Sequence, residues 1–367
     1  MHFILREPLA YDSTLVGGHA TTVRRYRLDS EAQLIERIAR VVPSSRGTGQ
    51  GGGLRLGIGD DAAILAPSGR TEWVLSCDAF IEGVHFLAER HPPDSIGYKS
   101  LARAASDLAA MGATPQLFLM TLGLPASRTS KWLDGFLRGV GRAARLLGMR
   151  LAGGDTTKSS AVAISITVLG EVPRGLALKR SGARPGDILY VSGRLGRAAL
   201  GLALMKSAAP RSLKRVFRSQ AQLLQPHLYP RIRIELGAWL ARHKIASAMM
   251  DISDGLSTDL ARLCTVSGVG ARLWSERIPC VKIPAARTGA RRTQALDPLQ
   301  MALHGGEDYE LLFTVPRKHL KRLRNAPGFA ELAAIGEIER GRKITLVDAA
   351  GRTTRLDPGG WDPFRRK

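Results

Sequence analysis

The spacing of apolar residues predicts an amphipathic helix over residues 95–111. At 100° per residue, Ile96 and Leu108 fall on one face of this helix together with other apolar side chains. Gly112 follows the helix, and glycine is common just after a helix C-terminus. Asp107 lies on the same apolar face. Because a carboxylate there is costly unless it is paired or bound to a metal, we expect Asp107 to have a specific role.

Apolar and polar periodicity predicts further elements in both halves of the chain. The predicted strands cover residues 54–58, 61–65, 73–77, 116–123, 162–170, 188–192, 310–315 and 343–347. The other predicted helices cover residues 31–41, 130–147, 195–206, 230–242 and 255–266. Strands and helices alternate irregularly, which favours an α+β fold over a regular doubly wound sheet.

Chain length and loop composition predict two domains after an N-terminal extension. The 367 residues exceed one typical domain. Residues 1–29 lack clear periodicity, and we expect them to be poorly ordered. Proline and glycine in the stretch 171–187 mark a crossing between domains, so the predicted domains are 30–172 and 173–367. The glycine-rich stretch 44–53 has the spacing of a dinucleotide-binding loop, but no strand precedes it, so we expect no such site there.

Composition is typical of a soluble globular protein, with 44% hydrophobic and 23% charged residues. No apolar run reaches the ~18 residues of a membrane span, and the N-terminus lacks the pattern of a secretory signal. The three cysteines, Cys77, Cys264 and Cys280, form no disulfide or zinc pattern. We therefore expect a cytoplasmic protein with no membrane partner.

The chain is strongly basic, with a net charge of +22 and a pI near 10.8. One interpretation is nucleic-acid binding through phosphate contacts. The other is an arginine-rich solvated surface that attracts anionic nucleotides at long range. The basic residues are scattered, and no zinc-finger or RNA-binding motif is present. We favour the second interpretation and do not expect nucleic acid as a partner.

Nine of the 32 acidic residues lie in six short segments, four of which also contain glycine. Glycine allows the backbone to approach a ligand closely, and grouped carboxylates hold hard divalent cations. The nine residues are Asp60, Asp61, Asp78, Asp107, Asp155, Asp251, Asp254, Glu307 and Asp308. The usual phosphate-binding loop, the kinase catalytic loop and the His-Glu-x-x-His motif are all absent from the sequence. The pattern therefore indicates a magnesium and phosphate site of another kind.

Several of these acids also have a purely structural interpretation. Asp60 and Asp61 could form a turn between two strands. Either Asp251 or Asp254 could be the N-cap of the helix predicted to follow. Asp308 precedes a predicted strand, and for this residue we favour a structural role over a catalytic one.

Six segments in order resemble the motifs of the thiamine-monophosphate kinases, a family in the aminoimidazole-ribonucleotide-synthetase-like superfamily. The segments are residues 57–63, 83–86, 106–113, 153–157, 251–256 and 305–311. The resemblance spans about residues 31–364. Each motif alone is only moderately specific, whereas the ordered set is strong.

The resemblance implies that ATP phosphorylates thiamine monophosphate to thiamine diphosphate with several Mg²⁺ ions. It implies a homodimer formed by the N-terminal sheet domain, which also binds ATP and Mg²⁺, and a C-terminal α/β domain. The implied catalytic residues are Asp155, Asp107 and Asp254. The implied metal ligands are Asp61, Ser76, Cys77, Asp78, Asp107, Asp155, Asp251 and Asp254. The implied ATP contacts are Gly154, Asp155, Arg180 and Ser253, and the implied thiamine-phosphate contacts are His85, Glu307 and Trp361.

Chemistry is compatible with this assignment. A phosphomonoester has a second pKa near ~6, so the substrate phosphate is already a nucleophile and needs no general base. We therefore expect direct in-line transfer without a phosphoenzyme. Trp361 could cover the cationic thiazolium through a cation–π contact, and Glu307 could supply a counter-charge.

Two positions depart from the family pattern. Cys77 stands where the family commonly has a hydroxyl residue, and sulfur is a poor partner for magnesium. Any ligation at residue 77 would therefore come from its backbone carbonyl. Pro363 replaces a histidine that often follows the terminal aromatic residue, so closure of the tail over the substrate can differ here.

Two alternative functions remain. The first is another enzyme of the superfamily, such as aminoimidazole ribonucleotide synthetase, selenophosphate synthetase or a hydrogenase-maturation factor. A selenophosphate synthetase would carry a reactive cysteine near its N-terminus, and none precedes Cys77. The second is a basic nucleic-acid-binding protein on a degenerate enzyme fold, whose duplex binding would weaken steeply with salt.

Overall fold

The computed structural model describes residues 54–56, 60–65, 69–209, 212–283 and 296–364. The predictions for the extension 1–29, the helix 31–41 and the glycine-rich stretch 44–53 lie outside these described residues.

The described residues form thirteen strands and nine α-helices. The strands are β1 (Leu54–Leu56), β2 (Ala63–Leu65), β3 (Thr71–Ile81), β4 (Thr114–Leu124), β5 (Arg150–Lys158), β6 (Ala163–Pro173), β7 (Ile188–Val191), β8 (Ala248–Ile252), β9 (Gly270–Trp274), β10 (Glu310–Val315), β11 (Ala333–Glu339), β12 (Ile344–Val347) and β13 (Thr353–Arg355). The helices are α1 (Pro93–Ala110), α2 (Lys131–Leu147), α3 (Arg197–Ser207), α4 (Leu213–Ser219), α5 (Ala221–Leu228), α6 (Ile234–Arg242), α7 (Leu256–Ser267), α8 (Pro298–His304) and α9 (Leu320–Leu323).

The first sheet has the strand order β1-β2-β3-β6-β4-β5, and all its pairs are antiparallel except β4 with β5. Burial alternates along β6, as expected when only one face of a sheet is covered. The covered face packs against α1 and α2, where Phe80 and Phe118 meet Leu101, Leu108 and Phe136 in one core. Among the described residues, no helix covers the opposite face of the sheet, which we call the uncovered face.

The second sheet has the order β13-β12-β9-β11-β7-β10-β8, and among its described strands β12 and β9 form the one parallel pair. Its strands β8 and β10 are buried along their whole length, because helices pack on both faces of this part of the sheet. Leu260 and Leu263 of α7 share a core with Leu312 of β10. On the other face, Leu240 of α6 packs with Phe313. A smaller core joins α3 and α5.

Helix α1 connects the two domains. In its last turn, Leu108 belongs to the first core, whereas Ala109 and Ala110 belong to the core around α6. The approach is close, because a Cβ added at Gly237 of α6 would lie 2.1 Å from the backbone oxygen of Ala109. The C-terminal end of α1 is thereby held beside the second domain, which brings Asp107 next to Asp251 of β8.

The predicted two-domain α+β fold is confirmed. The helix predicted over 95–111 is α1, and Gly112 after it has a positive φ of 71°. The other predicted helices and strands within the described residues are also present, with ends that differ by a few residues. The periodicity did not predict β5, β8, β9, β11 or β13. None of the helices that the structure describes has both the length and the apolar character that a membrane crossing needs.

Candidate functional site

Three carboxylates from distant parts of the chain converge between the two domains. Oxygen atoms of Asp61, Asp107 and Asp251 all lie within 4.8 Å of one another. Asp61 precedes β2, Asp107 lies on α1, and Asp251 lies in β8. We call these three residues the acidic cluster.

Hydrogen bonds fix the orientation of each member of the acidic cluster. Ser76 donates to Asp107, and the hydroxyl of Ser106 donates to Oδ2 of Asp251 at 2.7 Å. The Arg180 guanidinium donates through Nε and Nη2 to the two oxygens of Asp61, at 2.9 and 2.7 Å.

Asp60 has a different role from its neighbour. Its carboxylate accepts the backbone N–H of Arg180 at 3.2 Å and that of Asp61 at 3.0 Å. It therefore holds the loop that carries Asp61 against the segment at Arg180. Burial and the Asp61 charge raise the pKa of Asp60 to about 6.

The acidic cluster is electrostatically strained. Burial, together with the charges of Asp78, Asp251 and Asp61, raises the pKa of Asp107 well above its usual value. Burial and the Asp61 charge raise the pKa of Asp251 to about 7. A bound cation would offset this repulsion. The donors are all carboxylate oxygens, without histidine or cysteine, and this set suits a hard ion such as Mg²⁺.

Strand β3 supplies further groups beside the cluster. Ser76 and Asp78 alternate with Cys77, so their side chains point to the helix-covered face. Asp78 forms an ion pair with Nε of Arg103 at 3.1 Å. The exposed Cys77 side chain is on the opposite face, where its Sγ lies 3.3 Å from Oγ1 of Thr167. A side chain so directed does not reach the acidic cluster.

Asp155 is not one of the three residues of the acidic cluster. It is exposed in β5, the edge strand of the first sheet, and its Oδ1 accepts the N–H of Thr156 at 2.8 Å. Beside it, a Cβ at Gly154 would lie 1.9 Å from the Met120 backbone oxygen, so only glycine fits there. The predicted ligand and ATP-binding roles of these two residues stay predictions.

Asp254 and Ser253 lie in the turn between β8 and α7. Asp254 forms an ion pair with Arg262, and its backbone N–H donates to Asp259 Oδ2 at 3.0 Å. The expectation that Asp251 or Asp254 caps the next helix is wrong. Helix α7 starts after Gly255, whose φ of 107° suits glycine, and no side chain in the described part of the chain caps it.

Glu307 and His85 lie in a second group of charged residues. The Glu307 carboxylate forms an ion pair with Lys99 Nζ at 2.8 Å and a hydrogen bond with His227 Nδ1 at 3.1 Å. Burial alone would raise the pKa of Glu307, but the Lys99 charge and the His227 hydrogen bond outweigh it and lower this pKa. His85 Nδ1 accepts the Ile81 N–H at 3.0 Å. Burial and the nearby Arg103 charge lower the pKa of His85.

Sequence reasoning missed Lys99, Arg103 and His227. A signal existed for two of them, since Lys99, Arg103 and Asp107 are spaced by four residues and form one stripe of charge on α1. No comparable signal marked His227, because its partner Glu307 is eighty residues away in sequence.

Trp361 lies in the tail that crosses the start of α7. The backbone N–H of Trp361 donates to the Asp254 backbone oxygen at 2.9 Å, and the backbone N–H of Gly360 donates to Thr258 Oγ1 at 3.0 Å. The half-exposed Trp361 is thus held beside Asp254.

Asp308 is buried, and its carboxylate accepts the N–H groups of Gly196 and Ala198 at 2.6 and 3.0 Å. It therefore holds the N-terminus of α3, which agrees with the structural role favoured from the sequence.

Two family models match the chain. The model described as AIR synthase related protein, N-terminal domain, matches residues 59–172, and the corresponding C-terminal domain matches residues 184–349. Among solved structures, hydrogenase maturation protein HypE of E. coli is 20% identical, with a TM-score of 0.61, over 78% of this chain and 86% of that chain. At this identity the likeness shows a shared fold only.

Closer likenesses point to one family. The thiamine-monophosphate kinase of Salmonella typhimurium is 40% identical over 313 residues, which are 85% of this chain and 92% of that protein. The structure of AaThiL complexed with AMPPCP and TMP has a TM-score of 0.74 and 31% identity, and the match covers 91% of this chain and 97% of that one. The chain therefore belongs to the thiamine-monophosphate kinase family.

Proposed function

We propose that this protein transfers the γ-phosphoryl group of ATP to thiamine monophosphate, which gives thiamine diphosphate and ADP. The convergence of Asp61, Asp107 and Asp251 between the domains carries the proposal. Two anionic substrates can meet only where their charge is neutralised, and a buried set of carboxylate oxygens suits the cations that do so. The likeness to AaThiL complexed with AMPPCP and TMP supports the choice of substrates.

We assign Mg²⁺ to the acidic cluster as the cation. Bound Mg²⁺ supplies neutralisation of the phosphate oxygens of both substrates. Asp61, Asp107 and Asp251 would hold it, and Ser76 and Asp78 lie on the neighbouring strand. Asp155, Asp254 and the backbone carbonyl of Cys77 complete the proposed ligand set through the family resemblance.

The protein acts mainly by positioning the substrates. A phosphate oxygen of thiamine monophosphate attacks the γ-phosphorus of ATP in line, a new P–O bond forms, and the bond to ADP breaks. The attacking phosphate is already ionised at neutral pH, so the proposal needs no side chain to remove a proton.

Binding roles follow from the places of the side chains. Arg180 adjoins the acidic cluster, and we propose that it binds the ATP phosphates together with Gly154, Asp155 and Ser253. We propose that His85, Glu307 and Trp361 bind thiamine phosphate, with Glu307 facing the cationic ring. Of the proposed catalytic residues Asp107, Asp155 and Asp254, Asp107 has the most direct structural support, since it belongs to the acidic cluster.

We further propose that the protein is a homodimer of two-domain chains. The uncovered face of the first sheet exposes Trp73 and Leu119, and the edge strand β5 is exposed along its length. A second copy would bury both. We retain the domain bounds 30–172 and 173–367, since the family matches stop at 172 and resume at 184. Because ATP is the donor, we place the reaction in the cytoplasm.

One assay tests the proposed function. The purified protein is incubated with thiamine monophosphate, ATP and Mg²⁺, and the products are separated by chromatography. We expect equal amounts of thiamine diphosphate and ADP, and no product when EDTA is added. The Asp251→Asn variant should lose most of the activity, whereas Asp134→Asn, a change to an exposed acid on α2, should retain it. Absence of thiamine diphosphate with the wild-type protein would contradict the proposal and favour one of the two alternative functions.

A further inference from the structure

A row of buried polar side chains lies directly behind Glu307. Lys99 Nζ and His227 Nδ1 bond the two carboxylate oxygens of Glu307. The other ring nitrogen of His227, Nε2, lies 3.0 Å from Nε2 of His91. His91 Nδ1 in turn lies 3.1 Å from the backbone nitrogen of Leu87 and 3.0 Å from its backbone oxygen. The row therefore runs from a backbone amide through two imidazoles to the carboxylate.

Burial separates the two ends of this row. The Glu307 side chain is 24% exposed, whereas Lys99, His227 and His91 are buried behind it. The three buried residues come from different elements: Lys99 from α1, His227 from α5, and His91 from the turn before α1. Three separate parts of the chain thus contribute polar groups to one position, although burying such groups is costly.

The hydrogen-bond geometry favours one direction along the row. The ionised Glu307 carboxylate can only accept, so His227 Nδ1 donates to it and the neutral His227 ring accepts at Nε2. His91 Nε2 then donates to His227 Nε2, which leaves His91 Nδ1 to accept the Leu87 N–H rather than to donate to the Leu87 backbone oxygen. In this arrangement both imidazoles are neutral, and each donor has an acceptor. Burial as the main cause lowers the pKa of both histidines, in agreement with the neutral forms.

The backbone conformation of Glu307 gives a reason why its side chain needs the bonds from Lys99 and His227. Its φ of 69° lies in the left-handed region, which is unfavourable for a residue with a side chain. The Glu307 charge lies near enough to Arg103 to contribute to the raised pKa of its guanidinium, together with Tyr309 and Asp78. Without the bonds from Lys99 and His227, the carboxylate would be free to turn towards Arg103.

We infer that Lys99, His227 and His91 are positioning residues that hold the Glu307 carboxylate ionised and pointing at the cationic ring of thiamine phosphate. This inference rests on the proposed function for the identity of the ligand. The row acts only through Glu307, so its loss should weaken binding of thiamine phosphate and leave binding of ATP unchanged.

Two substitutions of His227 test the inference. His227→Leu removes the donor to Glu307, whereas His227→Asn keeps an N–H near the place of Nδ1. We expect His227→Leu to raise KM for thiamine monophosphate about tenfold, equivalent to ~1.4 kcal/mol, with KM for ATP changed less than twofold. His227→Asn should recover most of this loss. His243→Leu, at a histidine that stacks on Trp239 on α6, is the control and should leave both KM values unchanged.

An NMR measurement separates this inference from the proposed function. Imidazole ¹⁵N shifts of the wild-type protein should show His227 protonated on Nδ1 and His91 protonated on Nε2. The opposite tautomers would overturn the inference whether or not thiamine diphosphate is formed. The expected tautomers in a protein that forms no thiamine diphosphate would instead refute the proposed function alone.

Two kinetic outcomes would also overturn the inference. One is an equal rise of both KM values in His227→Leu, and the other is unchanged kinetics in this variant. If His227→Leu does not fold, His227→Asn and the tautomer measurement decide. A large rise of KM for thiamine monophosphate in a folded His227→Asn variant would then contradict the proposed direction of the bonds.

Discussion

At the scale of single residues, repulsion within the acidic cluster lowers the stability of the folded protein, while the same carboxylates provide the oxygen atoms for a cation. Asp107 lies among like charges in a partly buried place, which destabilises the folded protein when no cation is bound. Asp107→Asn keeps the shape and the bond from Ser76 but removes one charge. We expect this variant to be more stable than the wild type by roughly 1–2 kcal/mol in EDTA, as measured by urea unfolding.

Mg²⁺ should make the wild type more stable than Asp107→Asn, the reverse of the order expected in EDTA. Ions that bind only the folded state stabilise it in proportion to their affinity. We therefore expect Mg²⁺ to raise the melting temperature of the wild type and to leave that of Asp107→Asn almost unchanged. Asp134→Asn serves as the control, because this acid is exposed on α2. Equal stabilisation of all three proteins by Mg²⁺ would exclude Asp107 from the metal site.

Single residues also show what the sequence could predict. Asp107 was identifiable because a carboxylate on an apolar helix face is unusual. The sequence did not show that Asp61 joins the cluster while Asp60 holds the loop, because this depends on where Arg180 lies in the folded chain. His227 was not identifiable at all, since its bonds to His91 and Glu307 exist only after folding.

At the scale of elements, α1 and α2 pack by direct backbone contact. A Cβ at Gly139 of α2 would lie 1.9 Å from the Asp94 backbone oxygen, and one at Gly97 of α1 would lie 2.0 Å from that of Phe136. Each helix thus presents a glycine to the backbone of the other. This contact fixes α1, and with it Asp107, against the first sheet.

Alanine at two neighbouring glycines of α2 should have opposite effects. Gly139→Ala must push the helices apart, and we expect a loss of at least about 2 kcal/mol in the free energy of unfolding. Gly141→Ala meets only the end of the Arg145 side chain at 3.4 Å, so helix propensity should dominate and stabilise by about 0.5–1 kcal/mol. Urea unfolding of both variants measures the difference. A similar effect at the two positions would contradict the packing described for α2.

The elements that the sequence missed share a physical cause. Strand β5 contains two glycines and several polar residues, and it is exposed along its length, so it carries no apolar pattern. Its conformation comes from pairing with β4. Strand β8 was missed for a different reason, because it is buried rather than exposed. All five of its residues are buried, so apolar and polar positions do not alternate.

At the scale of the whole molecule, the site exists only because two domains meet. Asp107 comes from the first domain and Asp251 from the second, and Ser106 of α1 donates directly to Asp251. The resemblance carried by the ordered motifs implied that residues of both domains bind the same metal ions. The arrangement of the domains could not be derived from periodicity, because it depends on the contact of α1 with α6.

The uncovered face of the first sheet leads to the last prediction. Trp73 and Leu119 are 41% and 43% exposed there, and burying such a face against a second copy removes apolar surface from water. Leu119→Asp would place a charge in the proposed interface, and we expect the dimer to dissociate at least tenfold more readily in analytical ultracentrifugation. Leu146→Asp is the control, because this leucine is 69% exposed on α2, away from the sheet face. A wild-type protein that is monomeric at micromolar concentration, or a Leu119→Asp variant that dimerises like the wild type, would contradict an interface at this face.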